Sequence, residues 1–363
     1  MTLSLYFARR FAVLLALTAG ALLLLLGLVE VIERLRDLSG QEGTGAAALR
    51  LTLLSLPRAL HEVMPLVTLL ATLWFFLGLA RSSELVVARA AGRSALATLR
   101  APVAVILLVG GLLVAALNPI VAATERRLET LETRLTGLGE VLSISEEGLW
   151  LRQSDGAGQT VIRAAGASLD GTELTGASFF TYAPGEGPVR RIDAARAHLA
   201  PGTWQIEDAA VWDLTLTNPE AAMRREASLG LPTDLTAERI LDGFGEPLAV
   251  PIWDLPRFIA QLERAGFAAR AHRMHLWSEI ASPLFLAAMV VLGAAFTMRH
   301  ARGGRTGLMV GAALGGGFGL YFLKNFAAIL GTSGQVPIPL AALSPVLAAA
   351  ALGLALVLHL EDG

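Results

Sequence analysis

Phe11-Ala-Val-Leu-Leu-Ala-Leu-Thr-Ala-Gly-Ala-Leu-Leu-Leu-Leu-Leu-Gly-Leu-Val29 decides the class of this protein. No charge interrupts the run, and about 20 apolar residues rising 1.5 Å each cross the roughly 30 Å of hydrocarbon in a bilayer. Arg9 and Arg10 precede it, as they would in a secretory signal. The run is too long for a signal, however, and leads into Glu30, Glu33 and Arg34 instead of a small-residue cleavage site, so it reads as a retained membrane span. Five further stretches share this texture, near 59–80, 102–122, 277–298, 306–330 and 340–359.

The composition agrees. Of 363 residues, 54% are hydrophobic and 17% charged, which excludes an ordinary soluble globule. A net charge of −2 gives no basic field to gather phosphates, so no nucleic-acid partner is expected. The absence of cysteine excludes disulfides, thiolate metal sites, iron–sulfur clusters and cysteine nucleophiles. Lys324 is the sole lysine and is followed by Asn325, so no P-loop of the form Gly-x4-Gly-Lys-Ser/Thr exists and the chain is not itself a P-loop ATPase.

Arginines set the expected orientation, because positively charged short loops resist translocation. With Arg9 and Arg10 inside, the loops carrying Arg81, Arg89, Arg93 and Arg100, and then Arg299, Arg302 and Arg305, also fall inside. Loop 331–339 has no basic residue and falls outside; Arg34, Arg36 and Arg50 run against the count. Both termini are thus expected in the cytoplasm, with the long segment 123–276 outside. Within that segment, Gly148-Leu-Trp-Leu-Arg152, Thr160-Val-Ile-Arg163 and Thr203-Trp-Gln-Ile-Glu207 are short strand-like runs, and Pro201-Gly202 and Asn218-Pro219 are turn signals. They point to an all-β, jelly-roll-like domain. Asp254 is placed to cap a helix whose Leu255, Phe258, Ile259 and Leu262 share one face. The expected fold is an integral membrane α-helical protein with an inserted all-β domain: spans one to three in 1–122, the β domain with flanking helices in 123–276, and spans four to six in 277–363.

Enzyme-like constellations are weak. Gly331-Thr-Ser333-Gly resembles the nucleophile loop of rhomboid proteases, but the only histidine of the last span, His359, lies at its far end, so a Gly/Ser turn is the better reading. His272 and His275 share a helix face without a third ligand, and a water-facing pair is expected. No inverted repeat and no mid-span acid or histidine suited to proton coupling is evident, which disfavours a secondary transporter. Gly307, Gly311, Gly315 and Gly319 form a small-residue face on span five, serving either permanent packing within the chain or a gate sliding against another helix. Lys324 on the same span is costly in lipid and is expected to face a cavity or reach headgroups.

The loop between spans two and three is more informative. Ser82 or Ser83 can cap a short helix over about 82–92, Glu84 sits at its positive end, Leu85, Val86 and Ala88 to Ala91 make it apolar, and Gly92 stops it. Such a helix either lies on the lipid or docks, acid and apolar knob together, into a cytosolic ATPase.

Ser83-Glu-Leu-Val-Val87 with Gly92 resembles the coupling helix of the LptF/LptG family of lipopolysaccharide-export permeases. The likeness continues through Leu54-Ser-Leu-Pro57, Gly148-Leu-Trp150, Leu216-Thr-Asn-Pro219 and Trp277-Ser-Glu-Ile280 with Pro283, so it covers essentially the whole chain, in details closer to the LptG branch. The resemblance implies a six-span subunit of an ABC transporter in the inner membrane of a Gram-negative bacterium, with a periplasmic jelly roll. It implies an LptF-like permease partner, an LptB ATPase dimer that binds the ATP and Mg while this chain carries no cofactor, and LptC with an LptA-like bridge. The cargo would be lipopolysaccharide, taken from the outer leaflet and passed toward the outer membrane. Glu84, with Leu85, Val86 and Gly92 around it, would couple to the ATPase through an arginine there. Arg34, Arg36, Arg126, Arg127 and Arg134, with Lys324, would hold lipid A phosphates, although Glu30 stands where a basic residue is expected. The readings that compete with it are an envelope scaffold or sensor and a secondary lipid transporter.

Overall fold

The computed structural model describes residues 2–37, 44–90, 92–136, 142–145, 148–154, 159–168, 172–183, 187–216, 218–233, 235–236, 240, 247–264, 268–298 and 306–361. Its helices are α1 (Thr2–Asp37), α2 (Thr44–Arg81), α3 (Glu84–Ala90), α4 (Ala95–Leu112), α5 (Asn118–Thr136), α6 (Leu255–Arg264), α7 (Arg270–Thr297), α8 (Thr306–Thr332) and α9 (Ile338–Glu361). A π-helical segment, Leu113–Leu117, joins α4 to α5. Six described segments are long and apolar enough to cross a membrane: Leu3–Asp37, Gly45–Arg81, Ala95–Leu128, Arg270–Thr297, Gly307–Thr332 and Ile338–His359. Each covers one of the six stretches expected from hydropathy, to within one residue at either end.

The chain divides into two compact units, a helical one (1–128, 248–253 and 270–363) and a β one (129–247 and 254–269). In the helical unit, Phe7 and Phe11 of α1 meet Phe75 of α2 edge to face at centroid distances of 5.9 and 5.6 Å, and Phe76 completes the group at 5.0 Å from Phe75. Edge-to-face rings at this range add to the packing of apolar area. α4 crosses α7 at backbone contact: a Cβ at Gly110 would lie 2.8 Å from the Cα of Pro283, so only glycine fits. The π turn has a definite use. Asn118 Oδ1, just after it, accepts the Ile252 N–H at 2.8 Å, and Trp253 Nε1 donates to the Ala115 carbonyl at 3.2 Å, which pins segment 248–253 to the third span.

The β unit holds eight strands, β1 (Leu142–Ser145), β2 (Gly148–Ser154), β3 (Gln159–Ala164), β4 (Gly166–Ala167), β5 (Glu173–Tyr182), β6 (Pro188–Ala200), β7 (Thr203–Asp213) and β8 (Arg224–Pro232). They form one antiparallel sheet in chain order, with β4 paired to β5 off the main path. A line of irregularity crosses β5, β6 and β7. Buried residues alternate as Leu174, then Ala177 and Phe179; as Ile192 and Ala194, then Ala197 and Leu199; and as Trp204 and Ile206, then Ala209. Each strand thus slips by one residue at the same level, where Gly176 and Asp208 have positive φ of 58° and 50°. Bulge-like kinks of this kind bend a sheet. The two ends of the sheet accordingly approach each other. Buried Gln153 of β2 donates to the Pro232 carbonyl at 3.0 Å and accepts from Trp204 Nε1 at 3.3 Å and Thr233 Oγ1 at 2.6 Å. In α6, Leu255, Ile259 and Leu262 are buried as the pattern requires, and the Asp254 carbonyl accepts the Phe258 N–H at 2.9 Å.

Candidate functional site

Helix α3 is short because its boundaries are built into the backbone. Ser83 takes φ +60° ahead of it, and Gly92 takes φ +78° after it, while the Arg93 N–H returns to the Ala88 carbonyl at 3.1 Å as a left-handed cap requires. Ser82 does not cap the backbone as expected. Its hydroxyl donates to Glu84 Oε1 at 2.7 Å, and Arg10 Nη1 of α1 donates to the same oxygen at 2.7 Å. Arg10 also reaches the Tyr6 hydroxyl at 2.9 Å, and Arg93 reaches Ser4 Oγ at 3.2 Å, so the start of α1 is tied to both ends of the α3 segment. Burial works against ionisation of Glu84, but the hydrogen bonds from Ser82 and Arg10 and the Arg10 charge outweigh it and hold the carboxyl below the usual carboxylate range. The sign follows: the ion pair's contribution is fully present above the ordinary carboxylate pKa and is lost as pH falls through the depressed one.

The face of α3 turned outward is Val86 and Val87, at 49% and 67% exposure, beside a Glu84 that is only part-buried. Leu85, grouped with the docking residues on sequence grounds, is instead buried with Ala88 in the helical core. The helix period places residues 85 and 88 on one side and 86 and 87 on the other. The helix thus presents an acid with two branched apolar neighbours on its outer side. Gly92 serves as the stop.

At the opposite end of the bundle, Arg34 is held by Glu30 one turn earlier, Nη2 to Oε1 at 3.1 Å. Glu30, out of place by sequence, therefore binds the arginine beside it. Arg36 is exposed in the last turn of α1; Arg126 and Arg127 are exposed on α5, and Arg126 Nε donates to the Ala122 carbonyl of its own helix at 3.2 Å. Arg134 belongs to α5, with its side chain outside the described residues; Arg299, Arg302 and Arg305 also lie outside them. Sequence reasoning missed Arg58 of α2, which bonds Glu62 at 2.9 Å and reaches buried Glu125 of α5 at 3.4 Å.

For α8 the structure chooses between readings that the sequence left open, and for α7 it corrects two expectations. A Cβ at Gly307, Gly311, Gly315 or Gly319 would meet nothing within 4 Å, so this stripe does not pack permanently within the chain. The glycine that does is Gly317, where a Cβ would collide with the Leu69 side chain of α2. Lys324 turns inward, with Nζ 5.3 Å from the Phe285 ring centre on α7. His272 is 5% exposed and His275 is largely buried, so the pair does not face water. Buried Glu279 of α7 contacts His61 of α2, which overturns the absence of buried acids and histidines in the spans. Isolated polar residues in apolar helical stretches were the signal that could have found them.

Six membrane-spanning segments, with an antiparallel β unit inserted in the chain between the third and the fourth and a short charged helix between the second and the third, define the membrane subunit of a transporter. The chain belongs to the family of the lipopolysaccharide export system permease LptF/LptG, which matches residues 5–359. It is similar to the lipopolysaccharide export system permease protein LptG of Escherichia coli K12, 25% identical over 340 residues that cover 91% of this chain and 90% of that protein. The LptG of Escherichia coli O6:H1 is similar to the same degree.

Proposed function

We propose that this permease subunit takes lipopolysaccharide from the outer leaflet of the inner membrane and hands it, through its β unit, to a periplasmic bridge. The observation that carries the reading is α3, where Glu84, Val86 and Val87 face outward beside an ion pair to α1. A chain without a Walker lysine must take its power stroke from elsewhere, and such a knob suits a groove in an ATPase that binds ATP and Mg. The partners in this reading are an LptB-like ATPase dimer, an LptF-like six-span chain, LptC and an LptA-like bridge. Arg36, Arg126 and Arg127, with Arg134 of α5, would grip phosphates of the cargo, because a guanidinium meets a phosphate through two parallel hydrogen bonds. The open stripe Gly307, Gly311, Gly315 and Gly319 would let a partner's helix approach closely.

Orientation belongs to the same reading: both termini and α3 cytoplasmic, the β unit periplasmic. Reporter fusions near residue 200 are expected to read as periplasmic and fusions near residue 90 as cytoplasmic. The function itself is tested by purifying the tagged chain from its native membrane. An ATPase and a second six-span chain should accompany it, and lipopolysaccharide should stimulate ATP hydrolysis in liposomes. Purification alone, or hydrolysis indifferent to lipopolysaccharide, would favour the scaffold instead.

A further inference from the structure

The helical unit buries a group of ionisable side chains that none of these roles uses. Glu279 of α7 is 3% exposed. His61 Nε2 lies 2.8 Å from Glu279 Oε1, and His275 Nε2 lies 4.0 Å from the same oxygen. Glu279 Oε2, His61 Nδ1 and His275 Nε2 are buried without a hydrogen-bond partner. From α2 come His61 and Glu62, the latter paired with Arg58; from α7 come His272 and His275; and from α8 come Tyr321 and Lys324, which acts electrostatically on both Glu279 and His275. Arg270 and Arg273 of α7 are exposed, and α4 and α9 carry ionisable residues only at their other ends, as Arg100, His359 and Glu361.

Buried polar atoms without partners cost about 1–3 kcal/mol each, so a group of three requires an occupant or a use. Among the described residues no group of three or more His, Asp or Glu is placed to hold a metal ion. A proton is the ligand that fits, since a carboxylate 2.8 Å from an imidazole already shares one and the neighbouring His275 nitrogen is open to another. The backbone is weakened at the same level. Pro65 in α2 and Pro283 in α7 each stand four residues after His61 and Glu279, so the carbonyls of these two residues lose their helical N–H donors. Next to this level, Glu62, Leu66, Leu69, Met289, Gly317 and Phe318 line a cavity of about 160 Å³ between α2, α7 and α8, so α8 does not fill the space beside its neighbours.

We propose that His61, Glu279 and His275 form a proton-binding centre that, through Lys324, sets how closely α8 is held against α7. With one proton shared across the 2.8 Å contact between His61 and Glu279 and none added to His275, the trio carries no net charge and stands beside the Lys324 side chain of α8. Uptake of one proton from water by the open Nε2 of His275 breaks no covalent bond in the chain and adds a second positive charge in a low-dielectric site. Like charges there repel strongly, and Lys324, on the helix with space beside it, is the group able to move. Acidification therefore loosens α8.

The test follows helix position, so its outcome is independent of the export reading. Spin labels at Leu284 of α7 and Phe326 of α8, both exposed, are placed in the full-length chain with its co-purified partners in lipid nanodiscs, and their separation is measured between roughly pH 5 and pH 8, the range in which histidine titrates. The separation is expected to increase on acidification. His275→Asn and Lys324→Met should each remove the pH-dependent component and leave the short distance. In parallel, the infrared carboxylate band of Glu279, identified by its loss in Glu279→Gln, should shift over the same pH range in wild type and in Lys324→Met, because that variant removes the responding charge but keeps the centre. A separation indifferent to pH in wild type, or one that responds equally in His275→Asn, would overturn the proposal. If either variant fails to insert, the wild-type distance and infrared titrations still decide: midpoints that disagree, or an unshifted band, reject the centre.

Discussion

Glu84→Ala is expected to lower ATP-driven export by about 30-fold or more while the chain still inserts in the membrane. Truncating one partner of a hydrogen-bonded charge pair at an interface costs roughly 2–5 kcal/mol, much of it from the charge left behind. Here the substitution would leave two such charges, Arg10 within the chain at 2.7 Å and the arginine proposed on the ATPase. Arg10→Ala separates the two contributions. It removes only the internal tie between α1 and α3, so ATPase binding should persist and coupling should fall by a smaller factor. The measurements are ATPase co-purification and lipopolysaccharide release from proteoliposomes. Full transport by Glu84→Ala would remove α3 from the coupling role, and loss of ATPase binding in Arg10→Ala would mean that Arg10 shapes the docking surface itself.

Combined Arg36→Glu and Arg127→Glu substitution is expected to reduce lipopolysaccharide capture by a photo-crosslinker at Leu28 by about tenfold or more. Hydrogen bonds to charged groups are worth roughly 1.5–3 kcal/mol each, and reversal replaces attraction for a phosphate with repulsion. Both arginines are exposed, and Leu28 is 57% exposed on the same helix as Arg36. Arg34 is a weaker choice, since Glu30 already holds it at 3.1 Å. Glu30→Gln should therefore act in the opposite direction and increase capture by removing a carboxylate that competes with phosphate for Arg34. Unchanged crosslinking in the double variant, with the complex intact, would reduce these arginines to interfacial anchors.

The legible features share a physical character. A span is recognised from about twenty consecutive residues because transfer into hydrocarbon sums over a local window. Gly92 likewise ended α3 by local chemistry, the left-handed conformation it alone takes without strain. Strand alternation in the β unit was legible only in fragments. The one-residue slips in β5, β6 and β7 break the period of two on which that reading depends. Leu85 was misplaced because an apolar residue on a seven-residue helix suits either face until its neighbours are known.

By itself the sequence determined the membrane class, the six spans, the β insertion and the family likeness, all of which rest on composition, periodicity and short motifs. Only the tertiary structure decided which polar residues have partners. Arg10 meets Glu84, Arg58 meets Glu125 and His61 meets Glu279 across large separations in the chain, because α2 packs on α1, on α3, on the π-helical turn that leads into α5 and on α7. The same packing showed that Gly317 is a contact glycine while Gly307, Gly311, Gly315 and Gly319 face open space. Hydropathy is a property of neighbours in sequence, whereas the cost of a buried charge depends on the atoms brought to it by other helices, and no local window contains them.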